Sequence, residues 1–75
     1  MVSAHLVDAR GRPCPVPIIE LALALKAHPV VELWATDPAA RGDLAAFARA
    51  TGHALESQDA APGLLRAVVR RAAHP

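Results

Sequence analysis

Seventy-five residues, 53% of them hydrophobic and 20% charged, make a single domain over residues 1–75, near the lower end of what folds alone, burying roughly 60% of its unfolded surface in one core. Eight Lys and Arg against seven Asp and Glu leave a net charge of +1; with the arginines spread from Arg10 to Arg71 and no aromatics beyond Trp34 and Phe47, direct nucleic-acid binding is unsupported. One cysteine forms no internal disulfide, no apolar run nears the ~20 residues of a membrane span, and Met1 to His5 show no signal-peptide pattern, so a cytoplasmic protein with a reduced thiol is expected.

Residues 4–8 are short and β-capable, with Leu6 on one face and His5 and Val7 on the other. Residues 8–11 then turn, and Gly11 is free to take a positive φ or let the backbone pass close. Pro13-Cys14-Pro15-Val16-Pro17 follows, immediately ahead of the apolar run from Ile18 to Leu25. Proline is tolerated in the first turn of a helix and not deeper. A residue before proline is pushed out of the helical region, which puts Cys14 just outside the helix. Either Pro15 or Pro17 serves as the first helical residue. In both cases Val16, Ile18 and Ile19 are expected to offer free N–H groups near the sulfur. The first helix runs to about Ala27, where His28-Pro29 ends it. Ile18, Leu21, Ala22 and Leu25 form its buried stripe, widened by Ile19 and Leu23.

Residues 30–35 read as a strand from their branched and aromatic content. Val31 and Leu33 are expected inside, with Ala35 on their face. Trp34 is expected half-exposed, as a partner contact or packed over neighbouring strands. Asp37-Pro38 signals a second helix, with Asp37 as cap and Pro38 in the first position. Gly42 weakens its first turn, so regular helix is expected from about Asp43. Leu44, Phe47, Ala48 and Thr51 make its stripe, and Gly52 suits the left-handed stop. Asp37 and Asp43 are explained by capping and solvation. Residues 53–59 alternate as a half-exposed strand, Leu55 inward and Glu56 and Gln58 outward. Residues 60–63 turn. Residues 64–71 fit alternation and helical spacing equally; the short connection favours a return strand. Residues 72–75 are expected to fray.

The order is β-α-β-α-β-β, an α/β (α+β) two-layer sandwich with two helices on one face of a four-stranded mixed sheet. The chemistry centres on Cys14. A thiolate is the reactive form of cysteine, and a helix start can lower its pKa from about 8.5. Arg10 and Arg12 lie two and four residues upstream, and Arg12 is expected to support the thiolate. The bland alternative is a small buried hydrophobe. The proline brackets argue against it, because they shape the backbone around one sulfur at a turn that must reach the surface. A metal site from Cys14 with His5, His28, His53 or His74 lacks ligand-pair spacing, so no metal is expected.

Asp8-Ala9-Arg10-Gly11-Arg12-Pro13-Cys14-Pro15-Val16-Pro17 resembles the D-x-x-G-x-x-C-P-x-P signature of the TusA/SirA family of small sulfur-carrier proteins. The resemblance continues through Ala35-Thr36-Asp37-Pro38-Ala39, Asp43-Leu44, Phe47 and Gly52-His53-Ala54-Leu55, over nearly the whole chain. Arg12 stands where members often carry leucine, and Glu20 where they often carry a basic residue. The resemblance implies the same two-layer fold and a carrier without cofactor. Cys14 would accept sulfane sulfur as a persulfide from a cysteine desulfurase or rhodanese-type donor and pass it to an acceptor protein. Arg10, Gly11, Arg12, Pro15 and Pro17 would support the thiolate or touch partners. Implied end uses are tRNA thiolation, molybdenum-cofactor assembly or sulfur oxidation, with the carrier itself a monomer and not an enzyme. The alternative is a non-catalytic regulatory or protein-interaction module.

Overall fold

A computed structural model describes residues 3–72. The elements are β1 (His5–Ala9), α1 (Val16–Ala27), β2 (Val30–Ala35), α2 (Ala40–Thr51), β3 (Ala54–Ala61) and β4 (Leu64–Arg70). The four strands form one sheet in the order β1-β2-β4-β3, with β1 parallel to β2 and the other pairs antiparallel. The expected β-α-β-α-β-β mixed sheet is therefore present, and residues 64–70 are strand rather than helix.

Register decides which side chains share a face. Val7 stands beside Leu33 and Ala9 beside Ala35, while Val31, Leu33 and Ala35 stand opposite Val69, Ala67 and Leu65. These side chains form the inner face and join Leu21 and Leu25 of α1 and Ala40 and Leu44 of α2 in one core, with Phe47 and Leu55 at its margin. Both helices thus cover the same side of the sheet. The face assignment for β2 is borne out, Val31, Leu33 and Ala35 being fully buried.

The widened stripe on α1 is not. Leu21 and Leu25 are buried, but Ile19 is 52% and Leu23 59% exposed. Two helical residues give a rotation of about 200°, so Leu23 points away from whatever Leu21 covers. Apolar residues encircle this helix, and a four-stranded sheet can bury only one side of it.

Helix α2 begins at Ala40, before Asp43 rather than at it. Asp37 builds the entrance: its carboxylate accepts the Ala39 N–H (2.8 Å) and its carbonyl the Ala40 N–H (3.0 Å). That turn feeds directly into the helix, so Gly42 does not delay it. Pro38 sits in this preceding turn and not at the first helical position. Leu44 is buried, Phe47 and Ala48 partly so, and Thr51 is exposed, its hydroxyl donating to the Phe47 carbonyl (2.7 Å). Gly52 ends α2 at φ +79°, its N–H donating to the Ala48 carbonyl (2.9 Å).

Strand β3 is longer than expected, reaching Ala61 and leaving Pro62-Gly63 as the turn. Leu55 faces inward as expected, but the pairing skips Glu56 between Leu55↔Val69 and Ser57↔Val68. This bulge reverses the alternation beyond it, so Gln58 shares the face of its partner Ala67. Gln58 stays exposed because β3 is the outer strand.

After β4, the Arg71 N–H donates to the Pro29 carbonyl (2.7 Å). Its guanidinium reaches the Leu25 and Lys26 carbonyls at the end of α1 (3.1 and 3.2 Å). The Ala72 N–H donates to His53 Nδ1 (2.8 Å). Ala72 is thus held in place, contrary to the expected fraying; the rest of that expectation, residues 73–75, lies outside the described residues.

Candidate functional site

Parallel pairing of β1 and β2 brings their C-terminal ends side by side, with Ala9 level with Ala35. The loops that follow, residues 10–15 and 36–39, therefore meet. The Gly11 N–H donates to Thr36 Oγ1 (2.8 Å), and the Arg12 N–H closes a turn on the Ala9 carbonyl (3.2 Å). Gly11 adopts φ +80°, the left-handed conformation that glycine takes without a Cβ penalty. Its anticipated freedom is used.

Cys14 lies at the crossing. Its N–H donates to Asp37 Oδ2 (3.3 Å), while Asp37 Oδ1 holds Ala39. One carboxylate thus ties the cysteine loop to the entrance of α2. The side chain of Cys14 is half-buried against the margin of the core. The Cys14–Pro15 peptide is cis.

The choice between Pro15 and Pro17 resolves as neither. Val16 is the first residue of α1, Pro15 precedes it as cap and Pro17 is buried in the first turn. The N–H groups expected to remain free are engaged. Val16 donates to the Pro13 carbonyl (2.9 Å), and Ile18 and Ile19 both donate to the Pro15 carbonyl (3.0 Å each). The tight turn into the helix satisfies these donors internally.

The expected cationic support is redirected as well. Arg12 Nε pairs with Glu20 Oε1 of α1 at 3.2 Å. Arg10 grips Asp8 through Nε and its terminal nitrogen (2.9 and 2.8 Å) and lies over the Trp34 ring, 5.0 Å from its centroid. This fork holds the Asp8 carboxyl below its ordinary range and raises Arg10. Trp34 is half-exposed as expected, its Nε1 donating to Glu32 (2.6 Å). Its ring lies on the sheet face opposite the helices.

The charges that do reach the thiol are negative. Burial first, then a hydrogen bond with the Asp43 carboxylate, then the charges of Asp37 and Asp43, push the Cys14 pKa above its ordinary value. A lowered pKa was expected; the reverse holds because burial disfavours the charged thiolate and the Asp43 and Asp37 carboxylates add to that. Sequence reasoning gave Asp37 and Asp43 structural duties and so missed the Asp37 bond to the Cys14 N–H and the effect of both charges on the thiol. The available signal was topological: a parallel β-α-β unit sets the loop after β2 beside the loop after β1.

Among the described residues no group of three or more His, Cys, Asp or Glu side chains converges in a way that would hold a metal. His5 and His28 stack face to face at 3.9 Å, at the opposite end of β1 and β2 from Cys14. His53 lies against Phe47, with ring centroids 5.7 Å apart. His74, also named in the metal reading, lies outside the described residues. An open groove beside Asp37, about 210 Å³, is lined by Thr36, Pro38, Arg41 and the β3–β4 turn, and not by Cys14.

The sequence profile of the family described as "Sulfurtransferase TusA" matches residues 5–71. Over 74 residues the chain is 36% identical to the "Putative sulfur carrier protein YrkF" of Bacillus subtilis, covering 95% of this chain and 40% of that one. The chain therefore spans less than half the length of YrkF. Two proteins of the same description are covered more fully. YrkI of Bacillus subtilis is 38% identical over 61 residues, 77% of this chain and 81% of its own. NMA0882 of Neisseria meningitidis is 35% identical over 72 residues, 92% and 97%. With a TusA match running from the first strand to the residue after the last, the chain belongs to the TusA sulfurtransferase family.

Proposed function

We propose that this protein is a sulfur carrier whose cargo rides on Cys14 as a persulfide. The observation that carries the reading is the chain's single cysteine, half-exposed in the turn where the loops after β1 and β2 meet. Relatives described as sulfur carriers support it.

The chemistry needs little beyond an accessible thiol. The Cys14 thiolate attacks the outer sulfur of a donor persulfide, R–S–SH. A new S–S bond forms at Cys14, the donor's S–S bond breaks, and the donor leaves as a thiolate carrying both bonding electrons. In the second transfer an acceptor thiolate attacks the outer sulfur of the Cys14 persulfide, and Cys14 is the leaving thiolate. Neither step changes the total number of disulfide-type bonds, so no external oxidant or reductant is consumed. No second cysteine is present to trap the persulfide as an internal disulfide.

The donor in this reading is a cysteine desulfurase or a rhodanese-type protein, and the acceptor feeds tRNA thiolation, molybdenum-cofactor assembly or sulfur oxidation. The carrier works as a monomer in the cytoplasm and relays sulfur without turning over a substrate of its own. Incubation with a desulfurase and cysteine, followed by intact-mass analysis, is expected to show a gain of one sulfur atom, reversed by reductant. Cys14→Ser is expected to gain none while keeping its circular dichroism spectrum. A parent protein that gains no sulfur from desulfurase or rhodanese donors would overturn the carrier reading in favour of a non-catalytic interaction module.

A further inference from the structure

Helices α1 and α2 cover the same side of the sheet, yet their C-terminal halves leave a groove of about 320 Å³. Ala22 and Lys26 line it from α1, and Phe47 and Thr51 from α2. The members of each pair are four residues apart and so share one face of their helix. Leu25 belongs to this lining and to the core alike. Two cations stand at the groove. Arg71 is fixed there by its N–H on the Pro29 carbonyl (2.7 Å) and by Nη1 on the Leu25 and Lys26 carbonyls (3.1 and 3.2 Å). Carbonyl oxygens satisfy these donors without cancelling a full charge. Lys26 is exposed in the last turn of α1. Among the described residues neither cation has a carboxylate within ion-pairing distance, whereas Arg10, Arg12, Arg66 and Arg70 each hold one. The lining contains no acid.

We propose that this groove binds a linear alkyl carboxylate, its chain lying along Ala22, Leu25 and Phe47 and its head group at Lys26 and Arg71. Size and make-up suit a small molecule. Such sites are concave, mostly apolar and about 300–1,000 Å³, with a few polar groups that fix orientation. The groove beside Asp37, about 210 Å³, falls below that range. Charge then selects the ligand. An alkyl amine would meet two cations and no acid, and an alcohol would leave both without a counter-ion. A carboxylate forms charge-assisted hydrogen bonds with either. The order of the parts also fits: the apolar lining lies between the helices, while Lys26 and Arg71 are exposed. The chain is covered and the charged head stays near water, which avoids the cost of burying an ion. The groove lies at the C-terminal end of α1, whereas Cys14 precedes its N-terminus, so the inference stands apart from the carrier reading.

The test is calorimetric titration of the intact chain with octanoate, with amide resonances followed in parallel. Saturable binding is expected, with affinity rising up to about fourfold for each methylene added to the chain. Octylamine, cationic at neutral pH, is expected to bind several-fold more weakly. Ala22→Leu fills the groove and is expected to weaken octanoate binding about tenfold or more, the loss of contact with about two methylenes. Lys26→Glu is expected to weaken it several-fold. Arg49→Glu makes the same charge reversal on α2 outside the lining and is expected to keep the parent's affinity. The amides that shift are expected to be those of the lining, from Ala22 to Lys26, from Phe47 to His53 and at Arg71. No saturable octanoate binding would overturn the proposal, as would octylamine binding equally tightly or an Arg49→Glu loss matching that of Lys26→Glu. Shifts gathered instead at Ile19 and Leu23, exposed apolar residues of α1, would overturn it too. So would a parent that sediments as a dimer while Ala22→Leu is monomeric, since the groove would then belong to a second copy. Should the variants fail to fold, the parent's preference for carboxylate over amine and its map of shifted amides decide. None of these measurements needs a sulfur donor. A chain that binds octanoate yet gains no sulfur loses only the carrier reading, and one that loads sulfur without binding octanoate loses only this inference.

Discussion

The two oxygens of Asp37 hold two different segments, Ala39 at the entrance to α2 and Cys14 in the preceding loop. Truncating it removes a cap-like bond and a tether between loops in one step. Asp37→Ala is expected to cost about 0.5–2 kcal/mol, the range of a lost helix-entry cap, read from the denaturation midpoint. An unchanged midpoint would show that the entrance to α2 forms without it. Arg12 is the contrasting case. Its pairing with Glu20 joins side chains 58% and 31% exposed, and such surface pairs contribute about 0.2–1 kcal/mol. Arg12→Ala is expected to lower stability by no more than that and to leave the pH midpoint of Cys14 alkylation where it is. A midpoint that rises in Arg12→Ala would restore the arginine to the thiolate-supporting role suggested by its place in the sequence.

Helix α1 carries two leucines two residues apart with opposite fates. Leu21 is fully buried against the sheet, and Leu23 is 59% exposed. Removing the first leaves a cavity, whereas removing the second leaves solvent. Leu21→Ala is expected to destabilise by about 2–5 kcal/mol, a large share of the total in so small a domain. Leu23→Ala is expected to stay within about 0.5 kcal/mol of the parent. Comparable losses from the two substitutions in urea unfolding would mean that α1 packs through both faces. At the far edge of the sheet, β3 meets a different demand. Among the described residues its outer side has no neighbouring strand, and Glu56 at the bulge and Asp59 beyond it, paired with Arg70 and Arg66 of β4, are the kinds of feature that discourage edge-to-edge pairing.

For the molecule as a whole, the raised pKa of Cys14 links the site to stability. The fold favours the neutral thiol, so the folded-state pKa lies above the unfolded one. The contribution is fully present below the unfolded value, about 8.5, and is lost as pH rises through the folded value. Stability of the parent is therefore expected to fall more steeply on the alkaline side than that of Cys14→Ser, which has no thiol to ionise. Parallel stability–pH profiles for the two proteins would mean that the site does not distinguish thiol from thiolate.

Much of this was legible in the residues because the signals act over a few positions. Branched residues at 30–35 make a strand, and Asp37-Pro38 and Gly52 bracket a helix. The prolines set Cys14 at the head of α1 by restricting φ and the residues before them. Such constraints do not depend on what lies elsewhere in the chain, which is why element order and the location of the cysteine could be read directly. The apolar run of α1 could not be resolved in the same way: its residues are hydrophobic all round, and only the sheet shows which side is covered. The bulge at Glu56 is a property of two paired strands and has no signature in either alone. The setting of the thiol belongs to the same class. Cys14 and Asp37 are 23 residues apart and meet because β1 and β2 run parallel, while Arg12, two residues from the cysteine, turns to Glu20. The sequence determined where the sulfur sits; tertiary structure decided which charges it sees, because charge acts through space and the nearest residues in the chain are not the nearest in the fold.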